Sequence, residues 1–212
     1  MSARSFLCYN IDMIKRFPYK YISDPSDFLQ KFLPDLSFRK TAECSIDDSR
    51  VPAYEIMEYN GCAVNASAAM ISFASGNELS FKESLAGCLG IAGRGYSRKS
   101  GNEINYYIKL GQTARFLNDS AKLFGINKRA RSSLRVFRTA VNEIASGRAV
   151  FLNIGLSRQY FDHTIVAYGF EEYVAKENGR RYVFFKVRDG YSKEIRYFLY
   201  SGILGIYITY FR

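Results

Sequence analysis

The strand-like sequence of this chain is concentrated in its last third, downstream of a region with helical periodicity. Apolar and β-branched runs follow one another from residue 148 to residue 211. Residues 62–146 instead carry most of their apolar side chains at helical spacing. Helices followed by consecutive strands are typical of an α+β domain with an antiparallel sheet, rather than of alternating βαβ units.

The first region is predicted to form four helices, and the second five strands. Ser80 with Glu83 three residues later indicates a capping box, and Gly125 is placed to end the third helix. Asn178-Gly179 indicates a type I′-like turn before the third strand. The expected helices span 62–75, 80–89, 111–125 and 132–146, and the expected strands span 148–154, 161–173, 181–188, 194–200 and 203–211.

Residues 91–102 separate the second and third of these helices. Residues 91–96 together with residues 100–102 are rich in glycine and serine and are expected to form a flexible loop. It lacks the Gly-Lys-Ser/Thr ending of a phosphate-binding loop and is therefore not expected to be one.

Residues 1–48 are interpreted as an N-terminal extension of a main domain at 49–212. Pro18, Pro25 and Pro34 disfavour long regular elements in this part. One short helix with an apolar face is expected at 23–33. Two roles stay open for the extension: it wraps the main domain, or it covers the active site as a propeptide does.

Composition restricts the class of protein. Of 212 residues, 48% are hydrophobic, which is enough for a large core. The chain contains no run of the ~18 consecutive apolar residues that a membrane helix needs. Asn10 and Asp12 interrupt the first apolar stretch, so no secretory signal is recognised and a cytoplasmic location is expected. Secretion stays open as the alternative if the N-terminus is incomplete.

Cys8, Cys44, Cys62 and Cys88 are the four cysteines of the chain. No two of them have Cys-x-x-Cys spacing, and one histidine cannot complete a zinc finger. We therefore expect reduced thiols, no structural metal, and no metal or organic cofactor.

The formal net charge is +10, and basic side chains cluster in three places. A solvated basic face is the simplest interpretation. A basic nucleic-acid-binding module stays open but is not favoured, because the abundant Tyr and Phe lie mostly in strand-like runs and no nucleic-acid signature is present. The clusters are Arg94, Arg98 and Lys99; Lys128, Arg129, Arg131, Arg135 and Arg138; and Arg180 and Arg181.

The single histidine and one cysteine form the candidate site. His163 opens the apolar run 163–170, which predicts a buried strand, and Cys62 starts a helix of small residues about a hundred positions upstream. A thiol at a helix start and an imidazole at a strand start are the two halves of a thiol-nucleophile site. The helix dipole favours the thiolate. Taken singly, each residue is more often a buried core side chain, so the hypothesis depends on the pair.

A third group is needed to orient the imidazole. Asp189 follows the strand at 181–188 and precedes a glycine, so antiparallel pairing would bring it beside His163. Asp162 is the rival, but adjacent residues of a strand point to opposite faces. We therefore assign Cys62 as the nucleophile, His163 as the base and Asp189 as the orienting group.

These motifs resemble those of the papain-like cysteine peptidase superfamily, especially its bacterial bacteriocin-processing (double-glycine-type) branch. The resemblance covers roughly residues 51–210. It implies a papain-like α+β fold, with the catalytic Cys at a helix start in an N-terminal helical part and the His and Asp on a C-terminal antiparallel sheet. It also implies a cysteine peptidase acting on a peptide or protein substrate. The similar segments are 60–70 (Asn-Gly-Cys-Ala-Val-Asn-Ala-Ser-Ala-Ala-Met), 147–150 (Gly-Arg-Ala-Val), 162–170 (Asp-His-Thr-Ile-Val-Ala-Tyr-Gly-Phe) and Asp189.

The chain departs from the family pattern beside both motifs. Family members usually carry a glutamine several residues before the cysteine, whose amide helps to form the oxyanion hole. Here the amide in that stretch belongs to Asn60, and Asp162 stands where a small residue usually precedes the histidine. Two further interpretations therefore stay open: a thiol acyltransferase or amidase on a non-peptide substrate, and a catalytically silent domain that binds peptides or a protein partner.

Overall fold

The computed structural model describes residues 21–56, 61–100, 103–106, 108–155, 159, 162–200 and 206–212. Within these residues the chain forms five α-helices and nine β-strands. The helices are α1 (Pro25–Phe32), α2 (Cys62–Ala74), α3 (Phe81–Gly93), α4 (Thr113–Leu123) and α5 (Val136–Ala145). The strands are β1 (Phe38–Ser45), β2 (Ser97–Ser100), β3 (Glu103–Tyr106), β4 (Ala130–Ser133), β5 (Val150–Gly155), β6 (Asp162–Ala175), β7 (Arg181–Arg188), β8 (Arg196–Tyr200) and β9 (Ile206–Phe211).

Seven of the strands form one antiparallel sheet in the order β4-β9-β5-β6-β7-β8, and β1 also pairs with β6. The 14-residue strand β6 is the centre of the sheet. One edge of β6 pairs with β7, and the other pairs first with β5 (residues 162–167) and then with β1 (residues 169–175). The predicted α+β class with an antiparallel sheet is confirmed.

Helices cover both faces of this sheet. α2, α3 and α4 share one core with Phe151, Val166 and Tyr168, whereas α5 shares the other core with Leu152 and Ile165. Alternate residues of β5 and β6 therefore serve two different cores. This double burial explains why both strands appear in the sequence as continuous apolar runs.

The described part of the predicted extension is built into the sheet. α1 is capped by the Asp24 side chain and packs Phe28 edge-to-face on Phe184 of β7, with ring centroids 5.9 Å apart. β1 pairs with β6 along its length. The sheet therefore crosses the boundary that the sequence suggested between residues 48 and 49. Most residues of β1 are exposed, so its sequence has no apolar alternation that would predict a strand.

Three local predictions were wrong. Residues 91–93 of the expected flexible loop belong to α3, and Ser100 of that loop pairs with β3 in a hairpin. The helix expected from residue 132 begins at Val136, because Ala130–Ser133 pairs with β9. The turn at 178–179 is not type I′, because Gly179 has a φ of 68° but Asn178 has no positive φ.

The longest helices of the described part, α2 and α3, have 13 residues each. Among the described residues, no helix combines the length and the apolar character required to cross a membrane.

Candidate active site

Cys62 is the first residue of α2, a helix of mostly small, buried side chains. Ala63, Ala66 and Ala69 are buried, and their small size lets the helix pack against β5, β6 and α3. No side chain caps the helix at Gly61. The positive end of the helix dipole lies at Cys62 and favours its thiolate over its thiol.

The residue before Cys62 has no room for a side chain. A Cβ placed on Gly61 would overlap the backbone oxygen of Tyr106, at the end of β3. The hairpin formed by β2 and β3 therefore lies directly against the start of α2. This close approach explains the glycine, since its φ of −48° is open to any residue.

His163 occupies the second position of β6, opposite Ile154 of β5, and is only 4% exposed. β7 ends at Arg188, opposite Val166, so the turn that begins at Asp189 takes the place of a strand neighbour. The imidazole Nε2 of His163 lies 2.6 Å from the backbone oxygen of Asp189.

This contact defines where the imidazole carries its proton. A carbonyl oxygen only accepts hydrogen bonds, so Nε2 of His163 is the donor. In the neutral ring the basic nitrogen is then Nδ1. The main chain at Asp189 therefore holds the ring in the tautomer that a general base requires.

The Asp189 carboxylate is completely buried and is held from two sides. Its Oδ1 accepts the backbone N–H of Tyr191 at 2.9 Å, and its Oδ2 accepts Nη1 of Arg196 at 2.9 Å. Gly190 turns the chain with a φ of 77°, and a Cβ there would crowd Tyr54 and Ile56 at 2.6–2.8 Å. The carboxylate thus anchors the turn whose main chain orients His163.

Tyr191 covers the imidazole on the solvent side. Its ring stacks on that of His163, with centroids 4.6 Å apart and planes inclined by 12°. Tyr191 is 55% exposed, so it separates the imidazole from bulk water. Burial, followed by the negative charges of Cys62 and Asp189, raises the pKa of the Tyr191 phenol. The phenol of Tyr191 therefore stays neutral where it stacks on the imidazole.

Tyr54 connects the helical side of the site with the turn. Its hydroxyl donates to the backbone oxygen of Arg188 at 3.3 Å, and its ring stacks on Phe81 of α3. Burial, followed by the charges of Asp189 and Cys62, raises the pKa of Tyr54 well above its ordinary value. The charges of Asp189 and Cys62 contribute in the same direction to the raised pKa of Tyr54 and of Tyr191.

The structure brings His163 into contact with Asp189 and Tyr191, and the charge of Cys62 raises the pKa of Tyr191. The hypothesis assigned the contact with the ring to the Asp189 carboxylate, whereas the 2.6 Å contact is made by the Asp189 backbone oxygen. Asn60, the candidate oxyanion donor, lies outside the described residues, and so does the side chain of Asp162, whose backbone pairs with Gly155.

Sequence reasoning missed three participants in this site: Tyr54, Tyr191 and Arg196. Tyr191 carried a usable signal, since it stands two residues after Asp189 in the same turn. Arg196 and Tyr54 carried none, because each reaches Asp189 or its turn from another segment of the chain.

The other described thiols lie in different surroundings. Cys88 is fully buried in α3, and burial raises its pKa to about 12. Cys44 is partly buried on β1, opposite Phe170 of β6. Cys62 is thus the described thiol that stands at a helix start.

No group of three or more His, Cys, Asp or Glu side chains in the described part of the chain is arranged to hold a metal ion. Comparison of the sequence with models of known protein families and with curated proteins found no match. The chemistry of the site is therefore inferred from its own residues.

Proposed function

We propose that this chain is a papain-like cysteine peptidase, which cleaves a peptide or amide bond through Cys62, His163 and Asp189. The main support is the 2.6 Å contact between His163 Nε2 and the Asp189 backbone oxygen, beside a phenol whose pKa Cys62 also raises. Nucleophilic catalysis requires a base with a defined proton position and an activated thiol, and we assign these two roles to His163 and to Cys62 at its helix start.

The reaction consists of two acyl transfers. The Cys62 thiol gives its proton to His163 Nδ1, and the sulfur attacks the carbonyl carbon of the scissile bond. His163 then protonates the leaving amine as the C–N bond breaks, which leaves a thioester on Cys62. Water gives a proton to the same nitrogen and attacks the thioester, and the product acid leaves as the thiol is restored.

The surroundings stabilise the charges that form in these steps. The Asp189 oxygens favour the imidazolium, while the N-terminal dipole of α2 favours negative charge on sulfur and on the substrate oxygen. Tyr191 excludes water from one face of His163, which strengthens the hydrogen bond between the ring and Asp189.

The test compares the wild type with Cys62→Ala and with Cys44→Ala as a matched control. A mixed peptide library is analysed by mass spectrometry, and p-nitrophenyl acetate serves as a probe of a nucleophilic thiol. We expect Cys62→Ala to lose at least ~10³-fold of the turnover, and Cys44→Ala to retain it.

Two other results would replace the proposal. If the wild type cleaves no peptide and turns over the ester no faster than Cys62→Ala, the chain is a silent binding domain. If the ester is turned over through Cys62 but no peptide is cleaved, a thiol acyltransferase or amidase takes its place.

A further inference from the structure

A pocket of about 340 Å³ lies at the C-terminal end of α2, at the far end of that helix from Cys62. Its volume is at the lower end of the range of small-molecule sites. α2, the residues before β5, and β9 contribute an apolar wall formed by Met70, Phe73, Ala74, Ala149 and Phe211.

Three cationic side chains complete the lining of this pocket: Lys128, Arg148 and Arg212. The carboxylate of Glu143, only 1% exposed, accepts Nε of Arg148 at 2.5 Å and Nη2 of Arg212 at 2.7 Å. Three cations against this one carboxylate leave an excess of positive charge beside an apolar wall.

The cations are positioned but retain donors for a ligand. Arg148 uses Nε toward Glu143, and its two Nη groups make no hydrogen bond with the described residues. Lys128 Nζ donates to the backbone oxygen of Ala74 at 2.7 Å, which places the cation at the negative end of the helix dipole. Groups that are held before binding lose less entropy when a ligand arrives.

We propose that this pocket binds a small amphipathic anion, namely a carboxylate on an aliphatic or aromatic body. The body lies against Phe73 and Phe211, where apolar surface leaves water. The carboxylate lies between Lys128 and Arg148, whose charge and donors complement it. The inference is independent of the chemistry proposed for Cys62.

Decanoate is the probe for this site, and decanol, which has the same chain length without a charge, is the comparison ligand. Isothermal titration calorimetry should show that decanoate binds several-fold more tightly than decanol. Lys128→Met should weaken decanoate by about three- to fivefold, as expected for one exposed ion pair. Lys122→Met, the same change at an exposed lysine of α4, should leave the affinity unchanged.

A second variant fills the pocket instead of removing one of its positive charges. Ala74→Leu places a larger side chain in the apolar wall and should abolish decanoate binding, so the test does not depend on Lys128→Met alone. The proposal is overturned if the wild type does not bind decanoate, or if it binds decanol equally well. Wild-type affinity in both Lys128→Met and Ala74→Leu would place the ligand elsewhere and also overturn it.

Discussion

The two ends of α2 carry opposite chemistry. The N-terminal end begins with the thiol of Cys62, while the C-terminal end presents a carbonyl to Lys128, with two arginines nearby. One property of the helix accounts for both, because its dipole places roughly half a positive charge at the first residue and half a negative charge at the last. An anionic thiolate is favoured at one end and cations at the other.

The two ends also differ in how firmly their charged groups are held. Asp189 is 0% and His163 4% exposed, whereas the side chains of Arg148 and Arg212 are 40% and 54% exposed. Electrostatic interactions are strong among buried groups and weakened by water among exposed ones. Substitutions at the N-terminal end should therefore change rates by orders of magnitude, and those at the C-terminal end should change affinities by small factors.

Among substitutions in the sheet and its turns, His163→Ala is expected to lower turnover most. Loss of the general base should lower turnover by ~10²–10⁴-fold, while decanoate affinity at the other end of α2 stays unchanged. Steady-state rates and calorimetry on the same preparation measure both quantities. A folded, fully active variant would make His163 a core residue only, and a change in decanoate affinity would show that the two ends are not independent.

A smaller loss is expected for Asp189→Asn, because the main-chain oxygen that contacts His163 is retained. The variant removes the partner of Arg196, which is 15% exposed, and should cost about 3 kcal/mol of stability. Turnover should fall by about 10–100-fold, and Asp162→Asn should lower it only slightly. Denaturant unfolding and rates are measured for both variants. The reverse ranking would move the orienting role to Asp162.

Gly61→Ala tests how tightly the start of α2 is enclosed. The added Cβ meets the Tyr106 backbone oxygen, so β3 or the helix start must shift. We expect a loss of about 1–3 kcal/mol and a several-fold fall in turnover. Gly90→Ala is the control, because this exposed glycine of α3 has nothing within 4 Å, and alanine should stabilise the helix by about 0.5–1 kcal/mol. Equal effects in denaturant unfolding would show that the close approach imposes no constraint.

The smallest expected effect is a difference in alkylation rate among the cysteine thiols. Limiting iodoacetamide at mildly acidic pH should label Cys62 before Cys8, Cys44 and Cys88, because the helix dipole and the imidazole favour its thiolate. Burial and a pKa of about 12 make Cys88 the slowest of the described thiols. Peptide mapping by mass spectrometry identifies the adduct. Faster labelling of another cysteine would contradict the assignment of the nucleophile.

Local signals in the sequence were sufficient for the elements that depend on near neighbours. The α+β class follows from the change in apolar period, the capping box at Ser80 is present, and β7 has the predicted bounds. Cys62 begins a helix as expected, because the small residues that follow it propagate one. Such signals depend on residues a few positions apart in the sequence, so they can be recognised before the fold is known.

Tertiary structure decided the elements whose support is distant. β1 and β4 exist because β6 and β9 offer them hydrogen-bonding edges, and neither shows an apolar alternation of its own. The candidate site follows the same rule. The residue types of the triad were visible in the sequence, whereas the choice of the Asp189 backbone oxygen for the contact with His163 was not. That choice depends on the turn at Gly190 and on Arg196 from β8, which binds the Asp189 carboxylate. Contacts between separate segments of the chain produce no periodic pattern in the sequence, so the sequence could not predict them.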